Sequence, residues 1–172
     1  MKLLIGLGNP GKQYEKNRHN AGQRFVRKAN LKLENFNLKS METNTFMNES
    51  GEAVRRWVAF YRVKPEDLYI AHDDLDIPLG EYKIQFGVGP QLHYGIQSVE
   101  KELGTKDFWR VRIGVDNRPA SRRAGIPRTP GEEYVLQDFT KEELEILEQR
   151  AFPKIVEELK AKSLEFEDPV TR

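Results

Sequence analysis

Short apolar runs alternate with segments of helical period along almost the whole chain, and few folds accommodate that order. Leu3-Leu4-Ile5 stops at a cluster of glycines, and Leu68-Tyr69-Ile70-Ala71 runs into His72-Asp73-Asp74. Short apolar runs of this kind read as buried strands. Phe36 to Met41, then Tyr82, Ile84 and Phe86, then Trp109, Val111, Ile113 and Val115, alternate with the two-residue period of further strands. Helices are predicted over 20–31, with Ala21, Phe25 and Ala29 on one stripe, and over 50–61, with Ala53, Val54, Trp57, Val58 and Tyr61. A third carries Ile96, Val99 and Leu103 and ends at Gly104. Thr140-x-x-Glu143 is a capping box opening an acidic helical segment over 140–162, which Pro153 should kink or divide. Strands interleaved with helices imply an α/β sheet covered on both faces.

The length suits one domain over 1–172, and 38% hydrophobic residues are enough for a core, so the composition is not that of a disordered chain. No apolar run is long enough to span a membrane, and Met1 to Ile5 is too short for a signal-peptide core. A soluble cytoplasmic protein is the expectation. Without cysteine there is no disulfide, thiolate metal site or thiol nucleophile. The net charge of +1 hides a gradient: residues 1–40 hold nine Lys/Arg against two acids, and residues 131–172 hold six against twelve. That asymmetry is compatible with a face for a polyanion, and equally with ordinary solvated helix faces. Residues 117–130, with three prolines and four arginines, read as a mobile basic loop.

Gly6-Leu7-Gly8-Asn9-Pro10-Gly11 matches the G-x-G-x-x-G of a dinucleotide site directly after a strand. Pro10-Gly11-Lys12-Gln13-Tyr14 does not open a helix, and no second strand ends in an acid for a ribose. A tight strand-to-loop turn is the better reading. It leaves Asn9 where a carboxamide can face a cleft with both a donor and an acceptor.

All three histidines, His19, His72 and His93, stand at element boundaries. In open α/β sheets the carboxyl ends of strands converge on one rim, where ligands bind. Asn9 and Asp73 meet there, with His19 arriving from the loop after the first strand. An imidazole held by Asp73 can take a proton from water, and Asn9 and Asn48 can orient the water or the carbonyl. The chemistry implied is hydrolysis of an activated carbonyl such as an ester. Two histidines and an aspartate can also ligate a metal, although no H-E-x-x-H or comparable spacing occurs.

Gly6-Leu7-Gly8-Asn9-Pro10-Gly11-x-x-Tyr14-x-x-x-Arg18-His19-Asn20-x-Gly22, Thr45-Phe46-Met47-Asn48-x-Ser50-Gly51 and His72-Asp73-Asp74-Leu75-Asp76-x-Pro78-x-Gly80 stand in order along the chain. With Arg110 to Val115 and Tyr134-Val135-Leu136-x-x-Phe139 they resemble bacterial peptidyl-tRNA hydrolases over nearly the whole length. The resemblance implies a single α/β domain with a mixed, mostly parallel sheet between helices. It also implies hydrolysis of the ester joining a nascent peptide to the 3′ ribose of tRNA, by a monomer without metal or organic cofactor. Residue by residue it implies His19 as base, Asp73 as its orienting acid, and Asn9 and Asn48 as positioning groups. Tyr14 and Met47 would line the cleft, His93 would stand on the substrate side, and Arg112 would hold a tRNA phosphate.

Three departures stand out. The segment before Thr45 is short, as if a hairpin or edge strand were missing, with Thr43-Asn44 in place of Lys-Pro. Tyr94 stands where an asparagine is expected beside substrate, and Gln85 where a phosphate clamp often has a base, a part Lys83 or the 117–130 arginines could take. A non-catalytic RNA-binding relative of the same fold is the competing reading, and a metal-dependent hydrolase a third.

Overall fold

The computed structural model describes residues 1–119 and 128–164. Five strands form one sheet: β1 (Lys2–Gly6), β2 (Leu38–Glu42), β3 (Leu68–Pro78), β4 (Tyr82–Phe86) and β5 (Trp109–Asp116), in the order β2-β1-β3-β5-β4. All neighbours are parallel except β4, which runs antiparallel to β5. The sheet is therefore mixed and mostly parallel, as expected. Helices α1 (Ala21–Leu33) and, at the far end of the chain, α5 (Lys141–Ile146) and α6 (Phe152–Leu164) cover one face. The other face is covered by α2 (Ser50–Tyr61) and α3 (Tyr94–Leu103), while the short α4 (Gly131–Val135) lies beyond β5 in the chain.

Period-two side chains of the central strands feed both layers. Leu4, Tyr69 and Ala71 pack with Phe25, Phe152 and Ile155, whereas Leu3, Ile5, Leu68 and Ile70 pack with Val54, Ile96 and Val99. This is why β1 and β3 read as unbroken apolar runs. In β5 the alternation has a different origin. Val111, Ile113 and Val115 join the first layer, but Arg110 and Arg112, on the other face, are buried as well. Arg110 is neutralised by Glu100 of α3 at 2.7 Å and lies over the Phe108 ring.

Several boundaries differ from expectation. Phe36 belongs to a 3₁₀ turn (Glu34–Phe36), and β2 begins two residues later, after Asn37 in a left-handed conformation. β2 is the edge of the sheet, and no hairpin separates it from Thr45. The C-terminal segment is divided into α5 and α6 just ahead of Pro153, as the proline implied, although the helical turns continue through the junction. A π-helical turn (Leu147–Ala151) joins α5 to α6 and loosens the ladder where proline has no N–H to give. The capping box is formed, with Thr140 Oγ1 accepting from the Glu143 N–H at 3.2 Å and Glu143 Oε2 from the Thr140 N–H at 2.8 Å. Residues 120–127 of the basic loop, Arg122 and Arg123 included, lie outside the described residues.

The glycine motif serves packing. A Cβ on Gly6 would stand 2.5 Å from the Gly22 carbonyl oxygen, and one on Gly22 2.1 Å from that of Ala71. The absence of side chains at these two positions lets α1 lie directly on β1 and β3. Two 3₁₀ turns, Lys12–Tyr14 and Arg18–Asn20, intervene between the glycines and α1, so no helix N-terminus faces a phosphate there.

Candidate active site

Gly6, at the carboxyl end of β1, pairs with Ala71, and β3 runs on to Pro78. His72 and Asp73 therefore stand in mid-strand, just past the end of β1 and beside the loop that follows it, rather than at a strand terminus as the sequence suggested. Asp73 on β3 is fully interior and takes two imidazoles. His19 Nδ1 lies 2.9 Å from Oδ1 and 3.0 Å from Oδ2, and His93 Nε2 lies 2.8 Å from Oδ1. The pairing drawn from sequence for His19 and Asp73 is present in the structure. Burial works against the imidazolium of His19, but the charge and hydrogen bond of Asp73 outweigh it, and its pKa stands above the usual 6.5. For Asp73, burial raises the pKa, and the opposing pull of His19 and His93 leaves it well below the carboxylate range.

The tautomers follow from the other ring atoms. His93 precedes α3, and its Nδ1 accepts the Ile96 N–H at 3.2 Å as a helix cap, so Nε2 carries the hydrogen given to Asp73. His19 gives its Nδ1 hydrogen to the same carboxylate, which leaves Nε2 as the basic nitrogen. His72 lies beneath, its ring edge-on to His93 at 4.9 Å and its Nδ1 donating to the Asp73 carbonyl at 2.7 Å. Burial, reinforced by His93, pulls its pKa down to about 3, and its Nε2 meets no partner among the described residues. His72 is a neutral prop.

Among the described residues, His19, Asp73 and His93 are the group whose donor atoms, all within 4.8 Å, could surround a metal. The donor set does not fit one. A metal on His93 Nε2 would move the ring hydrogen to Nδ1, opposite an Ile96 N–H that already points at it.

A cavity of about 520 Å³ opens over this cluster, lined by Asn9, His19, Asn48, Asp73 and His93 and by a mainly apolar wall that includes Met47, Leu75, Leu92 and Val135. Asn9 is held from both sides. Asn20 Oδ1 accepts its N–H and Asn20 Nδ2 donates to its carbonyl, each at 2.9 Å, while its own Oδ1 accepts the Met47 N–H at 2.7 Å. Its Nδ2 hydrogens remain for a ligand. Gln23 fixes the same turn, donating to the carbonyls of Thr43 at 2.6 Å and Gly8 at 3.2 Å. Asn48 is exposed at the cavity margin, with no partner for its carboxamide among the described residues.

Not every predicted residue reaches the cavity. Tyr14 is absent from the lining and stands edge-on to Phe46, whose ring forms one lip. Tyr94 lines the opposite side, half exposed, and its hydroxyl donates to Glu132 at 2.7 Å. His93 presents its ring to the cavity while both nitrogens are used internally. Arg112 is only 7% exposed, with Nε on Asp74 Oδ2 at 2.7 Å and Nη1 on Gln85 Oε1 at 2.6 Å, so it is not on the rim. Asn20, Gln23 and Glu132 were not anticipated. The first two carry a local signal, carboxamides one and four residues after His19; the last is brought in by α4 and carries none.

A model of the peptidyl-tRNA hydrolase family matches residues 3–168. A peptidyl-tRNA hydrolase of Desulfitobacterium hafniense is 38% identical over 168 aligned positions, spanning 87% of this chain and 86% of its own. One from Cupriavidus necator is 35% identical, over 86% and 85%. The crystal structure of peptidyl-tRNA hydrolase from Acinetobacter baumannii superposes with a TM-score of 0.74 at 26% identity, covering 96% of this chain and 93% of that one. The sheet order, the imidazole–carboxylate cluster and these likenesses place the chain in the peptidyl-tRNA hydrolase family.

Proposed function

We infer that this chain hydrolyses the ester between a nascent peptide and the 3′ ribose of tRNA, recycling tRNA from peptides released before completion. The observation that carries the reading is His19, bound through Nδ1 to Asp73 and left with a basic Nε2 at a cavity that also holds the Asn9 carboxamide. In the proposed reaction a water gives a proton to Nε2 while its oxygen attacks the ester carbonyl. Asp73 stabilises the imidazolium so formed. The tetrahedral oxyanion takes hydrogen bonds from Asn9 Nδ2 and from Asn48. As the bond to the ribose oxygen breaks, His19 returns the proton to that oxygen, releasing peptide acid and tRNA.

The apolar wall around Met47, Leu75 and Leu92 suits peptides of many sequences, because it offers few polar groups that a particular side chain must match. Met47 and Tyr94 are read as contacts to the peptide, and Tyr14 as support for the Phe46 lip. The substrate is a polyanion, so binding weakens with added salt. Among the described residues no helix is long and apolar enough to cross a membrane. We read the protein as a monomer acting in the cytoplasm.

The test is incubation of the protein and its His19→Ala variant with N-acyl-aminoacyl-tRNA, with and without chelator. Cleavage lost in the variant and unaffected by chelator supports the reading. Retention of RNA without cleavage by the unmutated protein would mark a binding relative, and chelator sensitivity a metal enzyme.

A further inference from the structure

Arg112 is a buried charge near the site that the reaction does not use. We propose that it is a positioning residue, whose guanidinium seats the segment from Gly87 to Leu92 and thereby delivers His93 to Asp73, and that it is not a contact to tRNA phosphate. The inference rests on the reading of His19 as the base.

Arg112 leaves β5 opposite His72 of β3 and is closed in on every side. Nε is held by the interior Asp74 and Nη1 by Gln85 of β4, and Nη2 lies 3.9 Å from Asp76. The remaining face is covered by backbone: a Cβ on Gly89 would stand 2.4 Å from Arg112 Cζ and 2.6 Å from Nη1. Gly89 also has φ +67, a conformation in which an L side chain is strained. The chain therefore lies against the guanidinium at a distance only glycine permits. Two residues on, the Gln91 N–H donates to Asp76 Oδ2 at 2.9 Å, and after two more His93 reaches Asp73. A phosphate oxygen approaching Arg112 would have to displace Gly89 and compete with a buried carboxylate. Gln85 completes this arrangement as a neutral acceptor where the family often has a base; a cation there would repel the guanidinium.

The consequence for His19 has a sign. Asp73 faces two groups able to carry charge, His19 from the turn before α1 and His93 from the start of α3. When His93 Nε2–H is withdrawn, the carboxylate has more capacity for the His19 imidazolium, and the His19 pKa rises.

The test uses Arg112→Gln, Arg112→Lys, and Gly89→Ala, which keeps the guanidinium and its charge if the glutamine variant fails to fold. The His19 pKa is read by NMR without substrate, kcat and KM on N-acyl-aminoacyl-tRNA, and affinity for uncharged tRNA across salt. The expected result is an upward shift of the His19 pKa, a fall in kcat of tenfold or more in Gly89→Ala, and an unchanged slope of log affinity against log salt. Lysine, lacking the planar fork, gives partial rescue at most. A salt slope reduced by about one in Arg112→Gln, with Gly89→Ala silent, would make Arg112 a phosphate contact and overturn the proposal. An unmoved His19 pKa in every variant would also overturn it. Absence of cleavage by the unmutated protein would remove the function while leaving the NMR outcome to decide the positioning.

Discussion

Replacement of Asp73 by asparagine probes the centre of the site most directly, because it keeps the volume and removes the charge. Both carboxylate oxygens face His19 Nδ1, at 2.9 and 3.0 Å, and Oδ1 also serves His93. In Asp73→Asn one oxygen can still accept from both rings, but the amide NH₂ must take the position of Oδ2 and confront the His19 N–H. A hydrogen bond to a charged group contributes about 1.5–3 kcal/mol against about 0.5–1.5 for a neutral one. Losing one bond and the charge on the other removes on the order of 3 kcal/mol of imidazolium stabilisation, or roughly a hundredfold in rate. The ring can also turn to accept at Nδ1, which leaves Nε2 protonated and no longer basic. The limb of the pH profile then moves, while activity still climbs with pH. In the unmutated protein His19 titrates above 6.5, so activity climbs with pH through a limb above that value. Without Asp73 only burial acts, which favours the neutral ring, and the limb moves below 6.5. Single-turnover cleavage of N-acyl-aminoacyl-tRNA between pH 5 and pH 9, with tRNA affinity measured alongside, decides it. A rate within about threefold of the unmutated protein, with the limb in place, would refute the pairing as the source of catalysis.

Asn9→Ala leaves the buried Met47 N–H without its acceptor and should lower stability by about 1–3 kcal/mol as well as kcat. Asn48→Ala touches no internal bond among the described residues, so it should lower kcat while changing urea-unfolding stability by less than about 0.5 kcal/mol. Glu143→Ala strands Arg18, whose Nη2 lies 2.8 Å from Glu143 with both side chains buried, and also removes the capping box. Urea denaturation should show a loss of about 3–5 kcal/mol, and a value near zero would mean that water replaces the pair. Gly22→Ala drives a methyl group into the Ala71 carbonyl and should lower the melting temperature through a loss of at least about 1–3 kcal/mol. The His19–Asp73 pair contributes stability that is full below pH 6.5 and fades as pH rises through the raised pKa, a slope that Asp73→Asn should flatten in thermal melts.

The relative burial of the site carries its own lesson. His19 and Asp73 are reached through a cavity whose lips, Phe46, Leu92, Tyr94 and Leu136, are each about half exposed. A floor of buried charge beneath an apolar mouth keeps the imidazole and carboxylate away from bulk water while leaving the mouth open to an extended peptide. The Tyr94–Glu132 hydrogen bond spans that mouth between α3 and α4.

Local chemistry determined much of this protein from sequence alone. The buried runs of β1 and β3, the capping box at Thr140 and the boundary positions of Asn9 and His19 follow from patterns a few residues wide, because neighbouring side chains and backbone bonds set them. Tertiary structure decided which alternating residues meet water. Arg110 and Arg112 occupy the positions where a half-buried strand would carry polar groups, yet both are interior, because Glu100 on α3 and Asp74 on β3 supply their counter-charges. The same holds for the two hydrogens that converge on Asp73 Oδ1: His19 lies 54 residues away and His93 lies 20 residues away. Charge neutralisation across such separations depends on where the backbone folds back, and no local pattern encodes it.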